Sequence, residues 1–266
     1  MPISLPKPIA VGRTAEVYAW EDGSVLKLYR EGFPLDWVDY EARIGRAVCQ
    51  AGVPAPEVRD IVGVEGRRGI LYERVDGPDM LKAMNRSPLK LFVYARSLAQ
   101  LHLQMHRSAA PSLPFQRGMI ERAIHSAPDL PDDLRARALA ALEALPDSDR
   151  LCHNDFHPGN VIVTRRGPIV IDWMTASQGH PAADLARTRL MLTVGDPTGT
   201  GIGRLLIIAG RGLFVREYLR AYRAAEPELA RLSDAFLPVQ AAARLNEQIG
   251  PEREKLLEII RLGIKH

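Results

Sequence analysis

The sequence predicts an α+β protein of two domains, and three observations carry that reading. Residues 9–72 alternate short apolar strand patterns with turn signals and contain one helical stretch. After Asp76 the apolar positions recur at helical spacing almost to the end, which puts the domains at 1–76 and 77–266. The helical part is broken once, at 151–173, by a polar loop and an almost wholly apolar strand–turn–strand.

Bulk properties narrow the class. The 266 residues are 46% hydrophobic and 25% charged, ordinary values for a globular chain. The net charge of +3 is scattered, which argues against a nucleic-acid or membrane-surface partner. No apolar run is long enough to span a bilayer, and residues 1–8 lack the apolar core of a signal peptide. Cys49 and Cys152 have no CxxC spacing and sit among apolar residues, so both are expected as buried thiols of a reducing compartment. These features together suggest a cytoplasmic protein of enzyme size.

In the first domain, strand patterns at 9–11 and 17–20 flank the polar segment 12–16, and an Asp22-Gly23 turn leads to a return strand at 25–29. A polar loop between strands can close over phosphates where small residues let its amides approach; here Gly12 is its only glycine, and a plain hairpin is the simpler alternative. Lys27 lies in mid-strand between Leu26 and Leu28, where an exposed edge lysine would be unremarkable. Residues 36–50 have helical periodicity in Val38, Ile44 and Val48, end at Gly52 and carry Glu41. A strand lysine with a helix glutamate is the pairing that sets a lysine on nucleotide phosphates, although such a glutamate is often only solvated. An extended linker at 53–56 leads to strands at 58–64 and 69–72 around a turn at 65–68. Residues 73–78 then break the pattern, and Glu73 and Val75 are placed to offer backbone groups to an adenine edge.

The second domain opens with a long helix at 88–107, with Leu91, Val93, Leu98, Leu101 and Leu103 on its apolar face. His102 and His106 share a face, a metal-like spacing, but the glutamate of H-E-x-x-H is missing and no third ligand is evident, so His102 reads as a packed helix histidine. Helices follow at 114–127 and 131–145. Next comes His153-Asn154-Asp155-Phe156-His157-Pro158-Gly159-Asn160, then apolar strands at 161–164 and 169–171 around a turn at 165–168, then Asp172. Phosphoryl transfer needs this inventory: one carboxylate to orient an acceptor hydroxyl, and an amide and a second carboxylate to hold magnesium. Turn chemistry accounts for Asn154, Asp155, Gly159 or Asp172 singly, but not for an apolar hairpin bracketed by all of them. Residues 179–186 start a helix with Pro181 in its first turn, where Asp184 is either a dipole partner or a brace for the polar loop. The run 199–203 is glycine-rich, but no strand precedes it and Arg204 takes the place of the last glycine, so it reads as a flexible interhelical loop. Helices at 204–224, 227–248 and 251–262 complete the chain.

The blocks His153–Asn160, Ile171-Asp172-Trp173 and His180-Pro181-Ala182-Ala183-Asp184-Leu185-Ala186 resemble, in order and spacing, the aminoglycoside phosphotransferase and choline kinase superfamily, relatives of the protein kinases. The resemblance covers nearly the whole chain. It implies a protein-kinase-like bilobal fold, with a small antiparallel β-sheet lobe carrying one helix and a larger, mainly helical lobe. It implies ATP as phosphoryl donor, with GTP as the alternative, a hydroxyl-bearing small molecule as acceptor, and Mg²⁺ on Asn160 and Asp172. Asp155 would orient or deprotonate the acceptor; Lys27, held by Glu41, would bind the phosphates under the Gly12 loop. His157 would contact the γ-phosphate or stabilise the loop, and His153 and Asp184 would brace it. Asn154 stands where the family more commonly has glycine. A protein kinase proper fits poorly, because Asp-Trp replaces Asp-Phe-Gly and no Ala-Pro-Glu block follows. A nucleotide-binding pseudokinase is the remaining alternative, although every expected catalytic position is filled. The acceptor stays open: Glu217, Glu226, Glu228, Asp234 and Glu247 mix with Arg211, Arg216, Arg220, Arg223 and Arg231, the pattern of solvated helices. So does the choice between monomer and homodimer.

Overall fold

The computed structural model describes residues 5–12, 14–195 and 201–264, with only the backbone at 201–203. The chain forms two compact units, Met1–Asp79 with Asn160–Met174, and Met80–Gly159 with Thr175–His266. In the first, β1 (Ala10–Val11), β2 (Ala15–Trp20), β3 (Ser24–Tyr29), β4 (Val58–Val64) and β5 (Arg67–Glu73) make an antiparallel sheet ordered β1-β2-β3-β5-β4. Asp22 and Gly23 have φ of 53° and 64° in the three-residue link between β2 and β3, and Glu65 and Gly66, at 50° and 75°, are the left-handed pair that matches a two-residue hairpin to strand twist. The second turn is therefore tighter than the sequence suggests, because Arg67 and Arg68 already belong to β5. Helix α1 (Leu35–Gln50) buries Val38, Ala42, Ile44 and Val48. It lies close on β4: a Cβ on Gly45 would come within 2.6 Å of Val58. Cys49, expected buried, is only half-buried in the last turn of α1, with Sγ 3.4 Å from the Pro56 carbonyl.

The chain continues through α2 (Met80–Arg86), a helix the sequence reading lacks, anchored by buried Met80 and Ala83. Residues 88–90 are a 3-10 turn, so the long helix begins later than expected, as α3 (Leu91–Arg107). Its buried stripe is Ala95, Leu98, Ala99, His102 and His106, while Val93, expected on that stripe, faces outward. Helices α4 (Gln116–Ser126) and α5 (Asp132–Ala144) and strand β6 (Arg150–Cys152) follow.

After the polar loop, β7 (Val161–Thr164) and β8 (Gly167–Val170) form the apolar hairpin, which belongs to the first unit. Its turn is limited to residues 165–166, and it is pinned there by bonds from Val163 N–H to the Pro78 carbonyl (2.9 Å) and from Val170 N–H to the Pro54 carbonyl (2.8 Å). Strand β9 (Ser177–Gly179) then returns to pair antiparallel with β6, a two-stranded ladder not foreseen in the sequence.

Helix α6 (Pro181–Val194) starts with Pro181 in its first turn, and His180 Nδ1 accepts from Ala182 N–H as the cap. Helices α7 (Gly201–Ala225), α8 (Pro227–Arg244) and α9 (Arg253–Gly263) complete the second unit. Gly201–Gly203 therefore open a helix instead of forming a loop; Gly199 and Thr200 lie outside the described residues. The core of this unit joins α4, α5, α6, α8 and α9 through Ile124, Leu134, Ala186, Leu190, Phe236, Val239 and Ile260. Among the described residues no helix is long and apolar enough to cross a membrane.

Candidate active site

Lys27 sits on β3, in the middle of the sheet and not at an edge, and its Nζ lies 2.7 Å from Glu41 Oε1. Glu41 is buried, contrary to the solvated alternative, and its carboxylate also accepts from the hydroxyls of Tyr29 and Tyr72, the latter at 3.0 Å. Three donors on one buried carboxylate are what keep its charge tolerable away from water. Burial, and then the adjacent Glu41 charge, push both tyrosines above their ordinary range, so they stay protonated as donors. Lys27 Nζ is also 3.8 Å from Asp172 Oδ1, and the Asp172 side chain is 50% exposed. Asp172 adopts φ of 64° just beyond β8, and Ile171 N–H donates to the Asn160 carbonyl at 2.9 Å, tying the two ends of the hairpin together. Asn160 is buried. A half-exposed carboxylate and an amide on facing hairpin ends form a hard-oxygen donor set of the kind magnesium takes while keeping waters and phosphate oxygens.

The segment around Gly12 is a tight connection between β1 and β2. Gly12 N–H donates to the Ala15 carbonyl at 2.8 Å, and its own carbonyl accepts from Arg30 at 3.1 Å. Arg13 lies outside the described residues. Glu73 ends β5 with its N–H donated to the Glu57 carbonyl at 2.8 Å, and Val75 follows half-buried.

In the second unit the polar loop is built on Asp184, in the first turn of α6. Its carboxylate accepts from His153 N–H (2.7 Å) and Asn154 N–H (2.8 Å), and contacts His102 Nε2 (3.1 Å) and His106 Nε2 (3.2 Å). The far nitrogens of the two rings meet the hydroxyls of Tyr218 (2.6 Å) and Tyr222 (2.8 Å). Burial alone would raise the Asp184 pKa, but the hydrogen bonds from His102 and His106 outweigh it and hold the carboxyl well below its ordinary range. Burial pushes His102 down to about 3, so it is neutral and donates from Nε2. The sequence offers His102 and His106 no third partner; the fold supplies Asp184, with the three ligand atoms within 4.8 Å of one another. With His102 neutral and its Nε2 proton on Asp184, the cluster is a buried hydrogen-bond hub in which His102 is packed out of solvent.

Asn154 has φ of 62°, and Asn is among the few residues that tolerate this region. Its amide donates to the Thr175 carbonyl and Ser177 Oγ, both at 2.8 Å, and accepts from Gln116 Nε2 at 2.8 Å. Its carbonyl accepts from Arg187 Nε at 3.2 Å. Asp155 N–H donates to His153 Nδ1 at 3.2 Å. His157 Nδ1 accepts from Gly159 N–H at 3.0 Å, and its Nε2 lies 3.9 Å from Asp155 Oδ2. A cavity of about 340 Å³ opens beside Asp155 and His157, walled by Leu81, Met191, Arg211 and Glu247. Gln116, Thr175, Arg187 and Tyr218 carry no sequence signal for these roles, being remote from the loop or unremarkable on their helices.

The sequence profile of the phosphotransferase enzyme family matches residues 6–233. The chain belongs to that family. A comparison with curated proteins returns no match. Among solved structures, an ADP-bound aminoglycoside phosphotransferase is similar over 99% of this chain and 93% of its own, at 15% identity and a TM-score of 0.55. A macrolide 2'-phosphotransferase from Brachybacterium faecium matches over 96% and 91% at 21% identity and 0.54. Choline kinase from Cryptosporidium parvum Iowa II matches over 97% and 87% at 13% identity and 0.59. At such identities the likeness carries the fold, the kinase-like α+β architecture expected from the sequence, while the phosphotransferase assignment rests on the family match.

Proposed function

We propose that this phosphotransferase moves the γ-phosphoryl group of ATP to a hydroxyl of a small molecule, with magnesium. The observation that carries the reading is Lys27, centred in its sheet 2.7 Å from buried Glu41 and 3.8 Å from Asp172. Lys27 would hold the α- and β-phosphates, oriented by Glu41, while the Gly12 turn lies over them. Asn160 and Asp172 would hold the magnesium; bound there, the ion offsets phosphate charge. Glu73 has already spent its amide, so it would offer its carbonyl to the adenine edge, and Val75 its amide. Asp155 takes the proton of the acceptor hydroxyl as its oxygen bonds to the γ-phosphorus and the bond to the β,γ-bridging oxygen breaks, releasing ADP. His157 has its Nδ1 on the Gly159 amide, so a contact with a phosphoryl oxygen would be made through Nε2. The ADP-bound relative favours an adenine nucleotide, with GTP the alternative. ATP as donor would suit a cytoplasmic site of action, and thiols kept at Cys49 and Cys152 are compatible with it. The residue types that the reaction asks for are present in the sequence as Lys27, Asp155, Asn160 and Asp172, and nothing favours a pseudokinase.

The test is Asp155→Ala, with ATP–Mg²⁺ binding and ADP release measured over a panel of amino-alcohol, aminoglycoside and sugar acceptors. Nucleotide binding should be kept and transfer should fall about 10²–10⁴-fold. Transfer near the wild-type rate would remove Asp155 from the mechanism.

A further inference from the structure

Among the described residues, the cavity beside Asp155 is walled by the second unit, and its charges are distributed unevenly. Of the five acidic residues that could have formed a cation-binding wall, Glu217, Glu226, Glu228, Asp234 and Glu247, only Glu247 lines it. That carboxylate is already engaged by Arg187 on one oxygen and by Arg244, at 3.0 Å, on the other. Arg244 is in turn gripped by the buried Glu252 in a two-pronged contact of 2.6 and 3.0 Å. Two guanidinium groups and two carboxylates thus cancel one another. Glu217 is held by Arg220 at 2.7 Å, and Asp234 by Arg189, away from the cavity. Among the described residues, these helix carboxylates offer a polycation no uncommitted charge on the wall.

Arg211 is the opposite case. Its guanidinium donates to the main-chain carbonyls of Gly195 and, at 3.3 Å, Thr193. Carbonyl oxygens orient a guanidinium without neutralising it, and among the described residues no carboxylate pairs with Arg211. It is half-buried on the cavity wall, with donors to spare in a planar fork suited to a carboxylate or phosphate. Met191, Leu192 and Leu81 line the same space with apolar surface, and the volume of about 340 Å³ is at the small end for a ligand pocket.

We propose that the acceptor is a compact molecule bearing an anionic group, a carboxylate or a phosphate ester, which Arg211 holds while a hydroxyl lies at Asp155. This rests on the phosphotransferase reading of the same cavity. It favours hydroxy acids or sugar phosphates over polycationic aminosugars.

The test is equilibrium binding by calorimetry, with Mg²⁺ and a non-hydrolysable ATP analogue present. The probes are a hydroxy acid and its amide, a sugar phosphate and its parent sugar, and a polycationic aminosugar. Wild type should bind at least one anionic member about tenfold or more tighter than its neutral counterpart, the scale of one charge-assisted contact. Whether the acid or the phosphate shows that preference identifies the anion. Arg211→Gln should erase the preference; Arg211→Lys should keep part of it, since charge survives and the fork does not. The inference is overturned if wild type binds the neutral or cationic members as tightly, if the preference persists in Arg211→Gln, or if no anionic member binds. ADP release over the same panel separates the two readings. Anion binding without transfer to any acceptor removes the kinase reading alone, whereas transfer to neutral or cationic acceptors without an anion preference removes this one alone.

Discussion

Replacing Asp184 by asparagine should destabilise the protein by about 3–5 kcal/mol, the range seen when a buried charged network loses one partner. The carboxylate faces four donors: His102, His106 and the His153 amide on Oδ2, and the Asn154 amide on Oδ1. An asparagine oxygen can replace only one of those acceptors. If it takes the Oδ2 position, its NH₂ points at the Asn154 N–H, orphaning a buried donor at about 1–3 kcal/mol. The three remaining bonds lose charge assistance, at roughly 1 kcal/mol each. Equilibrium urea unfolding at pH 7, followed by circular dichroism and tryptophan fluorescence, measures the loss as a lower midpoint with an unchanged slope. A difference below about 1 kcal/mol would refute the hub, because it would mean that these donors are satisfied elsewhere. Transfer should fall in the same variant, since the amides of His153 and Asn154 fix the loop that carries Asp155.

Three further outcomes follow from the geometry. His102 must stay neutral when folded, with its pKa at about 3 against roughly 6.5 unfolded; the unfolded chain then binds the extra proton, so this contribution is full above about pH 6.5 and is lost on acidification towards 3. Going from pH 7 to 5 should remove about 2 kcal/mol through this group, and His102→Asn should flatten that slope; an equally steep slope in the variant would contradict the assignment. Lys27→Met should keep the fold, because Tyr29 and Tyr72 still donate to Glu41, while steady-state kinetics with ATP as the varied substrate show a loss of roughly 10²-fold; unchanged kinetics would remove Lys27 from phosphate binding. Gly77→Ala would put a Cβ 2.3 Å from the Val163 carbonyl, so thermal unfolding should show a loss of at least about 1–3 kcal/mol; no loss would mean that β7 does not lie against residues 77–78 as described.

Much of the first unit could be read from the sequence because its signals are local. Asp22-Gly23 marks a hairpin, and Lys27 and Glu41 are identifiable as an odd strand lysine and a helix glutamate, although only the fold brings them to 2.7 Å. The two strands that bracket the polar loop, β6 and β9, were not legible because three residues carry no periodicity. Nor was the hub: His102 and His106 precede Asp184 by 82 and 78 residues, and a spacing rule written for one helix face cannot see a third partner on another helix. The arginines and glutamates of the last helices failed for a different reason. A mixture of signs reads the same whether the charges are solvated or cancel pairwise at a cavity wall, as Arg244, Glu247 and Glu252 do. Val93 shows the converse, an apolar residue at helical spacing that the packing leaves outside.

Backbone conformation links the loop to its chemistry. Five non-glycine residues among those described have positive φ: Asp22 and Glu65 in hairpin turns, Gln248 at a helix end, and Asn154 and Asp172 in the loops before β7 and after β8. Such a conformation costs of order 1–3 kcal/mol and persists only where the surroundings over-determine it. At Asn154 they do: the side chain has three partners, the N–H is on Asp184, and the carbonyl is on Arg187. At Asp172, the Ile171–Asn160 bond and the Trp173 Nε1–H donated to the Val170 carbonyl at 2.9 Å fix the chain on both sides. The left-handed step at Asp172 ends the strand alternation and leaves the carboxylate 3.8 Å from Lys27. At Asn154 the amides of His153 and Asn154 meet one carboxylate immediately ahead of the left-handed step, which then sets the direction of the chain towards Asp155. Asp184 therefore holds the chain just ahead of the strained residue while Gln116, Thr175, Ser177 and Arg187 hold the residue itself, so the positive φ is fixed from both sides.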